Sequence, residues 1–146
     1  CPSHSITVPQ ALADANIHPK HFGQTLMTLR TYPIRVGHLK DNSGNIIGES
    51  GAFYPDSTEL TWADLNQEPE KTTNTKRVRR VATFSFEQYA EVMAQAMPEV
   101  LFLNFANYCK DAELEELIQK MLKIYTPKQL YLGFGPKVTD IQPYEL

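Results

Sequence analysis

Apolar residues recur at three- and four-residue steps twice in the second half of the chain. Phe86, Tyr89, Ala90, Met93 and Met97 form one stripe, and Leu114, Leu117, Ile118, Met121 and Leu122 form another. That period puts each set on one helix face, so helices are predicted over Phe86 to Ala96 and Asp111 to Ile124. Ser85 with Gln88 three residues on is a capping-box signature at the start of the first helix. Between the stripes lies "VLFLNF", apolar on both faces, as suits a central parallel strand covered by helices on either side. Strands are predicted over Arg80 to Phe84, Val100 to Phe105 and Gln129 to Phe134, giving an α/β fold with a parallel β-α-β-α-β unit. Upstream the pattern breaks repeatedly. A short helix is expected at Pro9 to Asn16, where proline in a first turn costs little, and a period-2 segment runs from Thr25 to Val36. Next comes "DNSGNIIGESGAFYPDS", whose Gly, Asn, Asp and Pro favour turns, and Thr61 is placed to cap "WADLN".

Bulk composition narrows the partners. The chain has 146 residues, 42% of them apolar, enough for one domain with a core. A net charge of -3 and a pI near 5.8 argue against a general affinity for nucleic acid or anionic membrane. Cys1 and Cys109 make no metal spacing with His4, His18, His21 and His38, and two cysteines make no disulfide scaffold, so a reducing cytoplasm is expected. No apolar run approaches the roughly 18 residues needed to span a bilayer. Also missing are GxxxxGK[ST], GxGxxG, HExxH and GxSxG. The chain opens at Cys1 without an initiator Met, which suggests a processed or truncated N-terminus.

Two places carry candidate chemistry. Right-handed crossovers bring the carboxyl ends of successive strands to one sheet edge, where ligands of α/β proteins bind. "NFANY", 104 to 108, and "GFGPK", 133 to 137, are therefore expected to face each other across a small cleft suited to a flat heterocycle; alternatively Gly133, Gly135 and Pro136 only end a strand. The second place is "TTNTKRVRR", 72 to 80. Alternation along an extended chain sends Arg77 and Arg79 to one face and Lys76, Val78 and Arg80 to the other, outward. Two guanidiniums behind Thr72, Thr73, Asn74 and Thr75 can clamp a carboxylate or phosphate, and the competing reading is a sheet edge guarded by charge. No aromatics interleave with the cluster, which disfavours a polynucleotide.

Four stretches resemble the C-terminal half of adenylosuccinate synthetase, in that family's order. "RTYPIRVG", 30 to 37, is similar to the strand that meets the nucleotide ribose, and "TTNTKRVRR" to the Thr-Thr-x-x-Arg-x-Arg-Arg loop that closes on aspartate. "LFLNFANY" occupies the place of the Thr-Lys-x-Asp guanine-reading segment, and "GFGP" that of a Ser-Thr-Gly-Pro loop. The resemblance implies the C-terminal part of a P-loop-like fold, with a loop-rich substrate part at 1–76 and a nucleotide-base part at 77–146. It implies aspartate contacts from Asn74, Thr75, Arg77 and Arg79, and monophosphate contacts from Val36, Gly37, Arg77 and Ser3. It also implies donor-base contacts from Asn104, Phe105, Asn107, Gly135 and Pro136. No catalytic residue and no metal ligand falls in this chain, since the resemblance assigns both, with the Mg2+ site, to an N-terminal half.

Departures from the family pattern refine the substrates. Its guanine-reading Lys and Asp align with Phe105 and Asn107, and the preceding Thr with Asn104. A carboxylate only accepts hydrogen bonds, whereas an amide donates and accepts, as adenine N1 and N6 require. ATP or dATP is therefore expected as phosphoryl donor. Pro2 in "CPSHSIT" replaces a hydroxyl beside the monophosphate, and the chain looks most like the phage-encoded branch that accepts dGMP and makes 2-aminoadenylosuccinate. The resemblance further implies a homodimer in the host cytoplasm. The competing readings are the ordinary inosine monophosphate enzyme and a non-catalytic nucleotide-binding fragment.

Overall fold

The computed structural model describes residues 7–146. A short helix, α1 (Val8–Asp14), precedes β1 (Leu26–Arg30), β2 (Ile34–Arg35), β3 (Leu39–Lys40), β4 (Ile46–Gly48) and β5 (Glu59–Leu60). The regular part follows as β6 (Arg80–Ala82), α2 (Phe86–Ala96), β7 (Val100–Asn104), α3 (Asp111–Ile124), β8 (Gln129–Gly133) and β9 (Ile141–Tyr144). Both long helices fall where the apolar stripes place them. Tyr89 and Met93 from α2, with Leu114, Ile118 and Met121 from α3, pack on Leu101 and Leu103 of β7 and Leu130 and Leu132 of β8.

The caps work as the sequence indicates, with one addition. Ser85 Oγ accepts the Gln88 amide at 2.9 Å. Its hydroxyl in turn donates to Asp56, whose second oxygen accepts the Phe86 and Glu87 amides at 2.7 and 3.0 Å. Two side chains thus satisfy three otherwise orphaned donors of α2. Burial raises the Asp56 pKa, but the Ser85 hydroxyl and these two amides outweigh it and hold the carboxyl below its usual value. Thr61 and Asp64 exchange caps around "WADLN", Thr61 N–H to Asp64 at 2.7 Å and Asp64 N–H to Thr61 Oγ1 at 3.2 Å.

Sheet topology corrects one prediction. Arg80–Ala82 is not the first strand of the parallel unit: it lies antiparallel between β2 and β5 in a separate three-stranded sheet. The parallel neighbour of β7 is β1, registered Leu26↔Val100 through Arg30↔Asn104, so the main sheet has the order β1-β7-β8-β9. The physical reason lies in the 25–36 segment. Met27 and Leu29 pack on the helix-covered core, and after Thr31 donates its N–H to the Asn104 carbonyl the chain turns at Pro33, which has no N–H to continue the ladder. One period-2 stretch therefore serves two sheets, and the parallel sheet draws strands from both the loop-rich and the regular part. Two further elements lie beyond the sequence reading. β9 closes the sheet antiparallel to β8, and β3–β4 is a hairpin whose turn is held by Asp41 accepting the Ser43 and Asn45 amides.

Candidate functional site: an arginine loop beside a strand-end cleft

The arginine loop is a hairpin whose backbone is closed by one threonine. Lys71 pairs with Val78, Thr72 N–H donates to Arg77 O at 2.9 Å, and Lys76 N–H donates to Thr72 O at 3.1 Å. Thr72 Oγ1 accepts the Arg77 amide at 3.1 Å and lies 2.6 Å from Thr75 Oγ1, while Lys76 takes a left-handed φ of 52° at the turn. Asn74, Thr75 and Arg77 are exposed and Arg79 is half-buried. Among the described residues neither the Arg77 nor the Arg79 guanidinium has a hydrogen-bond or ion-pair partner. The loop is thus a hairpin closed on itself that presents unpaired cations.

Arg80 differs from its two neighbours and from expectation. It does not point outward: its side chain is 13% exposed, with Nε 2.7 Å from Glu59 Oε1 and Nη1 donating to Ser50 Oγ and the Gly51 carbonyl at 2.9 and 2.7 Å. Its guanidinium also sits 5.0 Å from the Phe53 ring centroid. The Arg80 hydrogen bond and charge hold the Glu59 carboxyl below its usual range. Lys76 and Val78 are exposed as expected.

Gly37 lies against this loop, while its neighbour Val36 is exposed. Gly37 is buried, and a Cβ built on it would stand 2.2 Å from the Val78 carbonyl oxygen and 3.6 Å from Arg77 Cβ. Only glycine allows that approach, so the "RVG" turn and the loop are in contact. Ser3 lies outside the described residues.

The two strand-end loops do meet. Asn104, Phe105, Asn107 and Tyr108 on one side and Gly133, Gly135, Pro136 and Lys137 on the other line a cleft of about 520 Å³. Asn104 Nδ2 donates to Leu29 O at 3.4 Å, and its Oδ1 lies 2.7 Å from where a Gly133 Cβ would stand. Asn104 therefore braces the sheet end as well as lining the cleft. Asn107 is exposed and its amide makes no hydrogen bond among the described residues. A Cβ on Gly135 would meet Asp140 Oδ2 at 2.4 Å, because that carboxylate turns inward to accept the Lys137 amide at 2.9 Å.

Phe105 is the strained member. Its φ of 63° is left-handed, unusual for an aromatic residue and costing about 1–3 kcal/mol. Thr31 Oγ1 donates to its carbonyl at 2.8 Å, and Arg30 Cζ lies 3.5 Å from its ring centroid. Tyr108 tilts against the same ring at 5.2 Å. Arg30 was not among the residues the sequence singled out; the available signal was a charge ending an apolar strand, and its register with Asn104 is visible only in the structure.

No family model matches the chain. Curated relatives do. The N6-succino-2-amino-2'-deoxyadenylate synthase of Acinetobacter phage SH-Ab 15497 is 38% identical over 140 residues, which cover 96% of this chain and 36% of that protein. The enzyme of the same name from Vibrio phage phiVC8 is 37% identical over 147 residues, covering 97% and 40%. A solved structure of cyanophage S-2L succinoaminodeoxyadenylate synthetase (PurZ), bound to dGMP and to dATP as an energy donor, has a TM-score of 0.83 and 38% identity. It covers 98% of this chain and 40% of that one. The chain thus spans 36 to 40% of the length of these relatives. By sequence and by fold, the chain is similar to a segment of the phage N6-succino-2-amino-2'-deoxyadenylate synthases.

Proposed function

We propose that the chain is the C-terminal, base- and aspartate-binding part of a ligase that joins aspartate to dGMP, with ATP or dATP as phosphoryl donor. In the first step the donor's terminal phosphoryl group passes to the purine O6 and the nucleoside diphosphate, ADP or dADP, leaves. In the second, the aspartate amine attacks C6, a C–N bond forms, and the C6–O6 bond breaks as phosphate departs.

The observation that carries this reading is the cleft. Phe105 and the free amide of Asn107 stand across from Gly135 and Pro136 in a chain 38% identical to a dGMP- and dATP-bound synthetase. An amide can accept from adenine N6 and donate to N1, whereas an aspartate there would match guanine. Asn104, half committed to Leu29, borders the same base. Unpaired Arg77 and Arg79, with Asn74 and Thr75 on the turn, suit the two carboxylates of aspartate. In this proposal Val36 and Gly37 line the ribose, and the contact of Gly37 with the loop at Arg77 and Val78 supports a ribose close to the bound aspartate. Ser3 joins the monophosphate in this proposal.

Among the described residues no three His, Cys, Asp or Glu side chains gather into a cluster that would hold a metal ion. No step here runs through Mg2+; the metal and the catalytic groups belong, in this proposal, to the rest of a longer polypeptide. A homodimer in the host cytoplasm completes it. Among the described residues no helix is long and apolar enough to cross a membrane.

The test is turnover by the intact polypeptide. Release of ADP or dADP requires dGMP and aspartate together, with a succino-2-aminodeoxyadenylate product by mass spectrometry. Faster turnover of inosine monophosphate would return the ordinary enzyme, equal use of GTP would defeat the adenine argument, and Asn107→Asp is expected to shift preference from ATP toward GTP.

A further inference from the structure

At the end of β1 a single arginine touches three groups. Its guanidinium lies 3.5 Å from the Phe105 ring centroid, its Nε donates to the Tyr32 carbonyl at 3.3 Å, and its Nη2 pairs with Glu70. Both members of the Arg30–Glu70 pair are largely withdrawn from water, at 22% and 24% exposure. Tyr108, which tilts against Phe105, donates its hydroxyl to the same Glu70 carboxylate at 3.4 Å. Burial and then the Glu70 charge hold the Tyr108 phenol above its ordinary range.

Glu70 faces the other way with its backbone. Its carbonyl accepts the Arg79 N–H at 2.8 Å, and its neighbour Lys71 pairs with Val78 to close the arginine loop. One residue therefore meets the cleft wall with its side chain and the root of the loop with its main chain. Arginine suits the junction, because a planar guanidinium can stack on a ring and pair with a carboxylate at once, which a lysine ammonium cannot.

We propose that Arg30 and Glu70 are positioning residues that couple occupancy of the cleft by the donor purine to closure of the arginine loop on aspartate. This rests on the ligase reading above. A purine stacked on Phe105 presses that ring toward Arg30, and the Phe105 backbone has little slack because Thr31 holds its carbonyl. Fixing the guanidinium fixes Glu70, and with it the strand pair that carries Arg77 and Arg79. The first ligand then lowers the ordering cost met by the second.

The experiment measures the dATP dissociation constant of the intact polypeptide by calorimetry, with and without saturating aspartate and with dGMP omitted so that no turnover occurs. For the wild type, aspartate is expected to tighten dATP by about fivefold or more. In Glu70→Gln, which keeps the size and a partner for Tyr108, that ratio falls toward one. Arg30→Lys, which keeps the charge and loses the plane, gives the same fall, so loss of folding in either variant leaves the other to decide. A merely structural role would weaken both ligands and leave the ratio unchanged, and that result overturns the proposal, as does a wild type with no coupling. A wild type that binds neither dATP nor aspartate would instead sink the ligase reading, and this inference with it.

Discussion

Around the cleft, side chains are anchored and the space between them is open; in the arginine loop, the backbone is anchored and the side chains are open. Asn104 is tied to Leu29, Phe105 is held by Thr31 and covered by Arg30, and Gly135 yields room to a capping Asp140. Thr72 instead spends its backbone and hydroxyl on closing a hairpin, and Arg77 and Arg79 stay unpaired. A flat heterocycle wants fixed walls and edges, because stacking and paired donors tolerate little displacement. A dicarboxylate wants two cations whose charge is not already neutralised. The two regions differ as their proposed ligands do.

That contrast can be broken at several points. Leu103, fully buried beneath the cleft, should cost about 2–5 kcal/mol when cut to alanine, measured by denaturant unfolding, whereas Val78→Ala on the exposed loop should stay within about 0.5 kcal/mol. Equal losses would mean that the loop is as packed as the sheet. Gly37→Ala forces a methyl toward the Val78 carbonyl and should cost about 1–3 kcal/mol; the accompanying rise in aspartate KM would tie the "RVG" turn to the loop, and an unchanged KM would separate them.

The adjacent arginines give the sharpest dissociation. Arg77→Ala should weaken aspartate by roughly 10- to 100-fold with little change in melting temperature. Arg80→Ala should do the reverse, costing about 1–2 kcal/mol of stability through Glu59, Ser50 and Gly51 with a smaller effect on aspartate. The smallest effect is pH-dependent. Because Arg80 lowers the folded-state pKa of Glu59 below its ordinary 4.5, this pair's stabilisation is present above that value and is lost as pH falls through the folded value. With Glu59 about half exposed, the term is a few tenths of a kcal/mol. The stability gap between wild type and Arg80→Ala should therefore narrow between pH 5 and pH 3, and a gap that widens would contradict the assignment.

What the sequence disclosed was local. Ser85 and Gln88, three residues apart, marked a helix start that the structure keeps, and the apolar stripes marked the faces that α2 and α3 bury. The facing of "NFANY" and "GFGPK" was also legible, since β7-α3-β8 is a contiguous parallel crossover. What stayed hidden was long-range. Nothing near Arg80 tells of Glu59, 21 residues away, or of Ser50, 30 away, so alternation alone sent its side chain to solvent. Likewise the pairing of β1 with β7 leaves no mark on either strand, because a strand's pattern shows which face is covered and not which neighbour it takes.

The place of β1 has a consequence in time. Its partner contacts span about 74 residues, as between Thr31 and Phe105, while β7, α3, β8 and β9 are joined by short connections. Closing the longer loop carries the larger entropy and rewards it late. On refolding, amides of β8 and of the core face of α3 should gain hydrogen-exchange protection before those of β1. The strand-end cleft would thus be walled on two sides before Arg30 arrives to cover Phe105.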